Sequence, residues 1–138
     1  MANLLEDLAF IRELQPQMIG IGPFIPHHAT PFKNYPAGTL EQTLTLLSVL
    51  RLMFPKVLLP ATTALGTIVP NGRELGILAG ANVVMPNLSP ADVRQNYLLY
   101  DNKLCSGAEA AEAKNDLAAR LHSIGYEIAE GRGDYKES

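Results

Sequence analysis

The chain has 138 residues, 47% of them apolar, with 11 Lys and Arg against 14 Asp and Glu, a formal charge of −3, one cysteine and no tryptophan. That balance argues against disorder, which needs low hydrophobicity with high net charge, and against a dedicated nucleic-acid binder, which carries a basic surplus. A single cysteine allows neither an intramolecular disulfide framework nor a Cys-rich metal knuckle.

No apolar run approaches the ~18 residues of a membrane span. The opening residues include Glu6 and Asp7 and lack a basic start followed by an apolar stretch, so no secretory signal is read and the expected address is the cytoplasm. Charge is distributed unevenly. All ten prolines lie between Pro16 and Pro90, and residues 17–90 hold only six charged side chains: Lys33, Glu41, Arg51, Lys56, Arg73 and Glu74. The whole −3 comes from residues 105–138, with four basic and seven acidic groups.

Asn3 followed by Glu6 has the spacing of a helix start. Leu4, Leu8, Ile11 and Leu14 then share a face, and Pro16 stops the helix. Met18 to Gly22 reads as a short buried strand, and Pro23 to Gly38 as a long loop. Thr39 with Gln42 opens a second helix through about Phe54, with Leu40, Leu44 and Leu47 on its apolar face. Val57 to Ala61 is the second strand, and a loop follows from Thr62 to Asn71. Asn71 with Glu74 caps a short helix ending near Gly80, and Asn82 to Met85 is the third strand. Ser89-Pro90 opens a helix through about Tyr97. Ser106 with Glu109 opens a last helix to Ile124, where Gly125 supplies a left-handed stop. Tyr126 to Ser138 is a polar tail.

Strands alternating with helices imply parallel pairing, because a parallel neighbour requires a crossover. The strands are apolar throughout, as in a sheet covered on both faces. The fold class is α/β. Three parallel strands are nevertheless an incomplete object: doubly wound sheets have five or six, and a β/α barrel eight. Unpaired edges invite another chain or a second copy.

Ligands of parallel α/β folds bind beyond the carboxyl ends of the strands. Those ends carry Pro23 to His28, Thr62 to Thr67 and Pro86 to Ser89, and none holds a carboxylate. Thr62-Thr63 has two readings: a hydroxyl pair for an anion or polar head group, and ordinary loop capping by threonine. Adjacent residues usually point apart, and His27 and His28 have no Cys or carboxylate at ligand spacing, so loop structure is expected rather than a zinc site. Cys105 has no poised base and reads as a small packed residue. No phosphate-loop lysine motif and no complete dinucleotide fingerprint is present.

Read as strings, the strand ends are more specific. Gly20-Ile-Gly-Pro-Phe-Ile-Pro-His-His-Ala-Thr-Pro31, Pro60-Ala-Thr-Thr-Ala-Leu-Gly-Thr-Ile-Val-Pro70 and Gly80-Ala-Asn-Val-Val-Met-Pro-Asn-Leu-Ser-Pro90 resemble the radical S-adenosylmethionine (SAM) maturases of [FeFe]-hydrogenase, the HydE type. Arg94-Gln95-x-Tyr97-x-x-Tyr100 is similar to the same family, and biotin synthase and its relatives are resembled more loosely.

The resemblance implies a partial (β/α)8 barrel, with these segments as the sixth, seventh and eighth strands. Residues 1–105 would be the carboxyl-terminal part of the barrel, about 57–105 corresponding to the domain shared by biotin- and thiamine-synthesis enzymes. Residues 106–138 would form a terminal helix and polar tail. In the family, a Cys-x3-Cys-x2-Cys loop ligates a [4Fe–4S] cluster that reduces SAM to methionine and a 5′-deoxyadenosyl radical. Cys105 alone cannot supply three thiolates, so these 138 residues are expected to bind no such cluster and to be inactive alone.

By resemblance, Pro23, Ile25 and Tyr97 would line the SAM site. Thr62, Thr63, Met85 and Tyr100 would line the substrate cavity, for an iron-carbonyl-cyanide-cysteine precursor of the hydrogenase diiron centre. Some relatives carry Cys-x7-Cys-x2-Cys for a second cluster. Here Cys105 is followed by Ala113 and Asp116, so no second cluster is expected. Expected partners are the remaining barrel, a small-molecule or organometallic substrate and, through open strand edges, a second copy; no nucleic acid or membrane is expected. The alternatives are a stand-alone small-molecule or anion-binding module using Thr62-Thr63, a self-associating structural unit, and a segment of a biotin synthase-like or methylornithine synthase-like enzyme.

Overall fold

A computed structural model describes residues 2–86, 90, 93 and 110–136. Its elements, in chain order, are α1 (Ala2–Leu14), α2 (Leu40–Met53), β1 (Pro60–Ala61), α3 (Thr63–Ile68), α4 (Gly72–Leu78), β2 (Val83–Val84) and α5 (Ala110–Ser123). The helix expected from Ser89-Pro90 to Tyr97, the start of the helix expected at Ser106, and Cys105 lie outside the described residues. Among the described residues no helix is long and apolar enough to cross a membrane.

All strand pairing among the described residues is parallel. β1 lies in the middle, paired with β2 in the register Pro60↔Val83 and Ala61↔Val84, while Met18 bridges to Leu58 on the other side. The expected strand over Met18–Gly22 is therefore reduced to one bridge, and Pro60 explains why. Leu58 N–H donates to Gln17 O at 3.0 Å, and Ile19 N–H donates to Leu58 O at 3.0 Å. The next donor on that edge would be residue 60, and a proline has none. On the β2 side the side chain of Asn82 completes the ladder: its Oδ1 accepts from Leu59 N–H at 2.8 Å, while its own N–H donates to Leu59 O at 2.9 Å.

Register divides the side chains between two faces, because they alternate along each strand. Ile19, Leu59 and Ala61 point to the helices and are buried in a core shared with Leu47, Leu50 and Phe54 around α2, Leu65 of α3, Ile77 of α4, and Leu117 and Leu121 of α5. The opposite face carries Met18, Leu58, Pro60, Thr62, Val83 and Met85. Pro60 is buried there, but Met18 is 46% exposed and Met85 44%. The sequence predicts a sheet covered on both faces; among the described residues, helices cover only one. On the other face Leu58 and Val83 are half-buried and border a cavity also lined by Tyr126, Ile128 and Gly131 of the terminal segment, and among the described residues no helix covers it.

Capping explains several boundaries. Thr39 Oγ1 accepts from Gln42 N–H at 3.2 Å, as the spacing predicts for α2. Gly125, at φ +82°, ends α5 in a Schellman arrangement: Tyr126 N–H donates to Leu121 O and Gly125 N–H to His122 O, both at 3.0 Å. Three expectations need correction. α1 already includes Ala2, so Asn3 lies within its first turn. Asn71 precedes α4 but makes no side-chain capping bond. The expected loop over Thr62–Asn71 contains α3, whose two threonines and Gly66 hide its propensity; burial of Ala64, Leu65 and Gly66 holds it in place.

Glu74 is not a capping residue either. It is 7% exposed and receives a fork of hydrogen bonds from Arg120 of α5, one from Nη2 to Oε2 at 2.9 Å and a second from Nε to Oε1. Arg120 also donates to Pro70 O. This pair fastens α5 to α4 and so joins the last helix to the strand units. Arg51 plays a similar part at the base of α2, donating to Gly80 O from Nε and to Pro55 O from Nη1, both at 2.8 Å.

Candidate functional site

The carboxyl ends of the first two strand segments meet. Gly22, leaving the first segment, comes so close to the second that a Cβ on it would lie 2.9 Å from Thr62 Oγ1. That hydroxyl is buried and has no hydrogen-bond partner. Thr62 is the residue before α3, with extended backbone, yet its side chain makes no capping bond. An unpaired buried hydroxyl costs about 1–3 kcal/mol. Thr63, its neighbour, is the first residue of α3; its carbonyl accepts from Thr67 Oγ1 at 3.1 Å.

Beyond Gly22 the chain enters a compact loop closed by Gly38 N–H donating to Phe24 O at 2.8 Å. Pro23 is buried at its base and Ile25 is half-buried. Phe24, Phe32 and Tyr35 form an edge-to-face cluster on the loop, with centroids 6.4 and 5.4 Å apart. His27 and His28 stack at 4.4 Å, and His27 Nδ1 accepts from Ala29 N–H at 3.1 Å, which occupies one ring nitrogen in shaping the turn. Among the described residues, no group of three His, Cys, Asp or Glu could hold a metal ion.

Of the residues singled out from sequence, Thr62, Thr63 and Met85 follow β1 and β2, and Pro23 and Ile25 follow the Met18 bridge. Tyr97 and Tyr100 lie outside the described residues. The strand ends carry no acid or base other than the two histidines, so these segments can supply apolar walls, hydroxyls and backbone groups but no carboxylate.

The perturbed ionisable groups are elsewhere. Burial lowers the pKa of Arg51 from its ordinary value. Burial, and then the neighbouring Arg120, lower that of Arg73, while Glu74 and Asp116 oppose the shift. Arg51 holds the carbonyls of Gly80 and Pro55, and neither arginine stands at a strand end. The close approach of Gly22 to Thr62 has no local sequence signal, because only the folded chain brings the two together.

No family model matches the chain. It is 48% identical over 103 residues to the [FeFe] hydrogenase maturase subunit HydE of Thermotoga maritima, covering 75% of this chain and 30% of that protein. It is 37% identical over 89 residues to a 3-methylornithine synthase of Methanosarcina barkeri, covering 64% of this chain and 25% of that one. A 3-methylornithine synthase of Methanosarcina acetivorans is 28% identical over 127 residues, 92% of this chain and 35% of its own length. The chain thus spans between a quarter and about a third of the relatives it matches. Over three-quarters of its length, this chain is a segment of HydE-type radical SAM sequence.

Proposed function

We propose that the chain forms the carboxyl-terminal wall of a (β/α)8 barrel, its three strand segments being the sixth, seventh and eighth, in a radical SAM enzyme of hydrogenase maturation. The observation that carries this reading is the sheet with one face covered by helices and, among the described residues, no helix on the other, where Met18 and Met85 stay exposed. In a β/α barrel the helices ring the outside and the bare face lines the interior, where ligands enter at the carboxyl ends of the strands. Residues 1–105 belong to this wall, with about 57–105 corresponding to the domain shared with biotin- and thiamine-synthesis enzymes, and 106–138 make the closing helix and tail.

Within that cavity, Pro23 and Ile25 supply an apolar wall suited to a purine, and Thr62, Thr63 and Met85 face the substrate; Tyr97 is assigned to the SAM site and Tyr100 to the substrate cavity on family resemblance alone. The chain's own contribution is binding, orientation and exclusion of water from a reactive radical. SAM supplies the radical chemistry when bound to the complete enzyme. The [4Fe–4S] cluster does not fit these residues, since one cysteine cannot provide three thiolates. The 138 residues are therefore inactive without the rest of the barrel.

The stronger match to HydE than to the 3-methylornithine synthases favours hydrogenase maturation over methylornithine formation. The test is complementation in trans. A polypeptide carrying the remaining strands of the Thermotoga maritima relative is mixed with this chain and the mixture sized by light scattering. A one-to-one complex is expected; two species that never associate would overturn the barrel-wall reading.

A further inference from the structure

We propose that the terminal segment Tyr126–Asp134 is a floor: it crosses the amino ends of the strands and closes that end of the cavity to water, leaving the carboxyl ends as the entrance. That the space above it is a reaction cavity rests on the barrel-wall reading. The crossing itself rests on the fold of this chain alone.

The segment borders a cavity of about 720 Å³. Its other walls come from one end of the sheet. The strand units give Leu58, before β1, and Asn82 with Val83 and Val84 at β2; Ala61, Thr62 and Met85, at the carboxyl ends, do not line it. The helices give Ile77 and Leu121, from the last turns of α4 and α5. Leu58 and Val83 face away from the helices, whereas Ile77 and Leu121 belong to the helix-side core. The segment therefore spans the thickness of the sheet across its amino end, and does not run along one face.

Local chemistry sends the chain there. Gly125, at φ +82°, ends α5, and Tyr126 N–H holds the turn by donating to Leu121 O. Gly131 at φ +120° and Gly133 at φ +70° bend the segment again, in backbone conformations that suit glycine. Beside these bends Arg132 and Asp134 pair at 3.4 Å with side chains 88% and 63% exposed, so the charged side faces water. Tyr126 and Ile128 are its large apolar side chains on the cavity, for which the amino ends of the remaining strands supply further cover. The effect on the sheet is visible on one face: Leu58 and Val83 are half-buried, whereas Met18 and Met85, which do not border this cavity, are exposed. An ordinary β/α barrel is closed at this end by its own packed layers of side chains. A hollow one that must keep water from a reactive radical needs a separate closure.

Thiol labelling tests the floor. In the 138-residue chain carrying Cys105→Ser, the reporters are Leu58→Cys and Met85→Cys, and their reaction with a maleimide is timed. The same chains ending at Tyr126, which keep the bond to Leu121 O, are compared with them. Loss of the segment is expected to speed labelling of Leu58→Cys severalfold and to leave Met85→Cys unchanged. Gly131→Val, which keeps the length but not the bend, is expected to speed Leu58→Cys as well, and it decides the matter if the shortened chain does not fold. A Leu58→Cys rate that neither change moves, or an equal acceleration at Met85→Cys, would overturn the floor. These readouts need no SAM, cluster or remaining barrel. Their failure leaves the barrel-wall reading intact, and failure of complementation leaves the labelling difference intact.

Discussion

Removing the Arg120 side chain tests how the last helix is held to the strand units. Arg120→Ala deletes the fork onto Glu74 and the bond to Pro70 O, leaving a carboxylate that is 7% exposed without its cation. Breaking a fully buried pair from one side costs about 3–5 kcal/mol. The Arg120 side chain is 29% exposed, so water partly compensates, and we expect about 2–3 kcal/mol. Domains of this size have total stabilities of about 5–15 kcal/mol, so the loss is a large fraction.

The assay is equilibrium urea unfolding followed by far-ultraviolet circular dichroism. With a slope of about 1–3 kcal/mol per molar urea, the midpoint falls by roughly 1–2 M. Replacing both partners with apolar residues, Glu74→Leu with Arg120→Met, is expected to recover most of the loss, because no buried charge is then left alone. A change for Arg120→Ala within about 0.5 kcal/mol, the range of ordinary surface substitutions, would refute the reasoning.

Other consequences follow from the same contacts. Asn82→Ala strands the Leu59 N–H at the start of the ladder and is expected to destabilise by about 1–3 kcal/mol in the same assay; an unchanged midpoint would show that another group takes its place. Thr39→Ala is expected to cost about 1 kcal/mol through loss of the α2 cap, whereas Asn71→Ala, which removes no capping bond, is expected to cost less. Iron and sulfide analysis after anaerobic reconstitution is expected to find no stoichiometric cluster on the 138-residue chain, and one cluster per chain would contradict that. With Met18 and Met85 exposed on an uncovered face, light scattering is expected to show concentration-dependent self-association; a monomer at high concentration would contradict it.

Local signals were legible wherever one side chain or one dihedral sets the boundary. Thr39 and Gly125 mark helix ends in sequence as they do in the structure, because a cap and a left-handed stop need no long-range help. The three strand segments were visible as apolar runs, but their extent was not. Pro60 shortens the ladder of its neighbour, an effect carried by pairing rather than by the sequence of the strand it shortens. Glu74 looked like half of a capping box and became half of an ion pair with a residue 46 positions away. α3 was missed because tertiary burial, not propensity, stabilises six residues containing two threonines and a glycine. The strings at the strand ends carry the family resemblance without geometry, yet nothing in them shows that Gly22 sits against Thr62. That contact exists only once two strand ends, forty residues apart, are side by side.

The central claim is that the bare face of this sheet lines the reaction cavity of a HydE-type enzyme. It is tested most directly by a chimera in which this chain replaces the matching segment of the Thermotoga maritima relative, assayed anaerobically for reductive cleavage of SAM. The chimera is expected to form 5′-deoxyadenosine, and to lose that activity when Pro23 and Ile25 are both replaced by aspartate in a chimera that still folds and holds its cluster. A folded, cluster-loaded chimera that cleaves no SAM, or one indifferent to both aspartates, would contradict it.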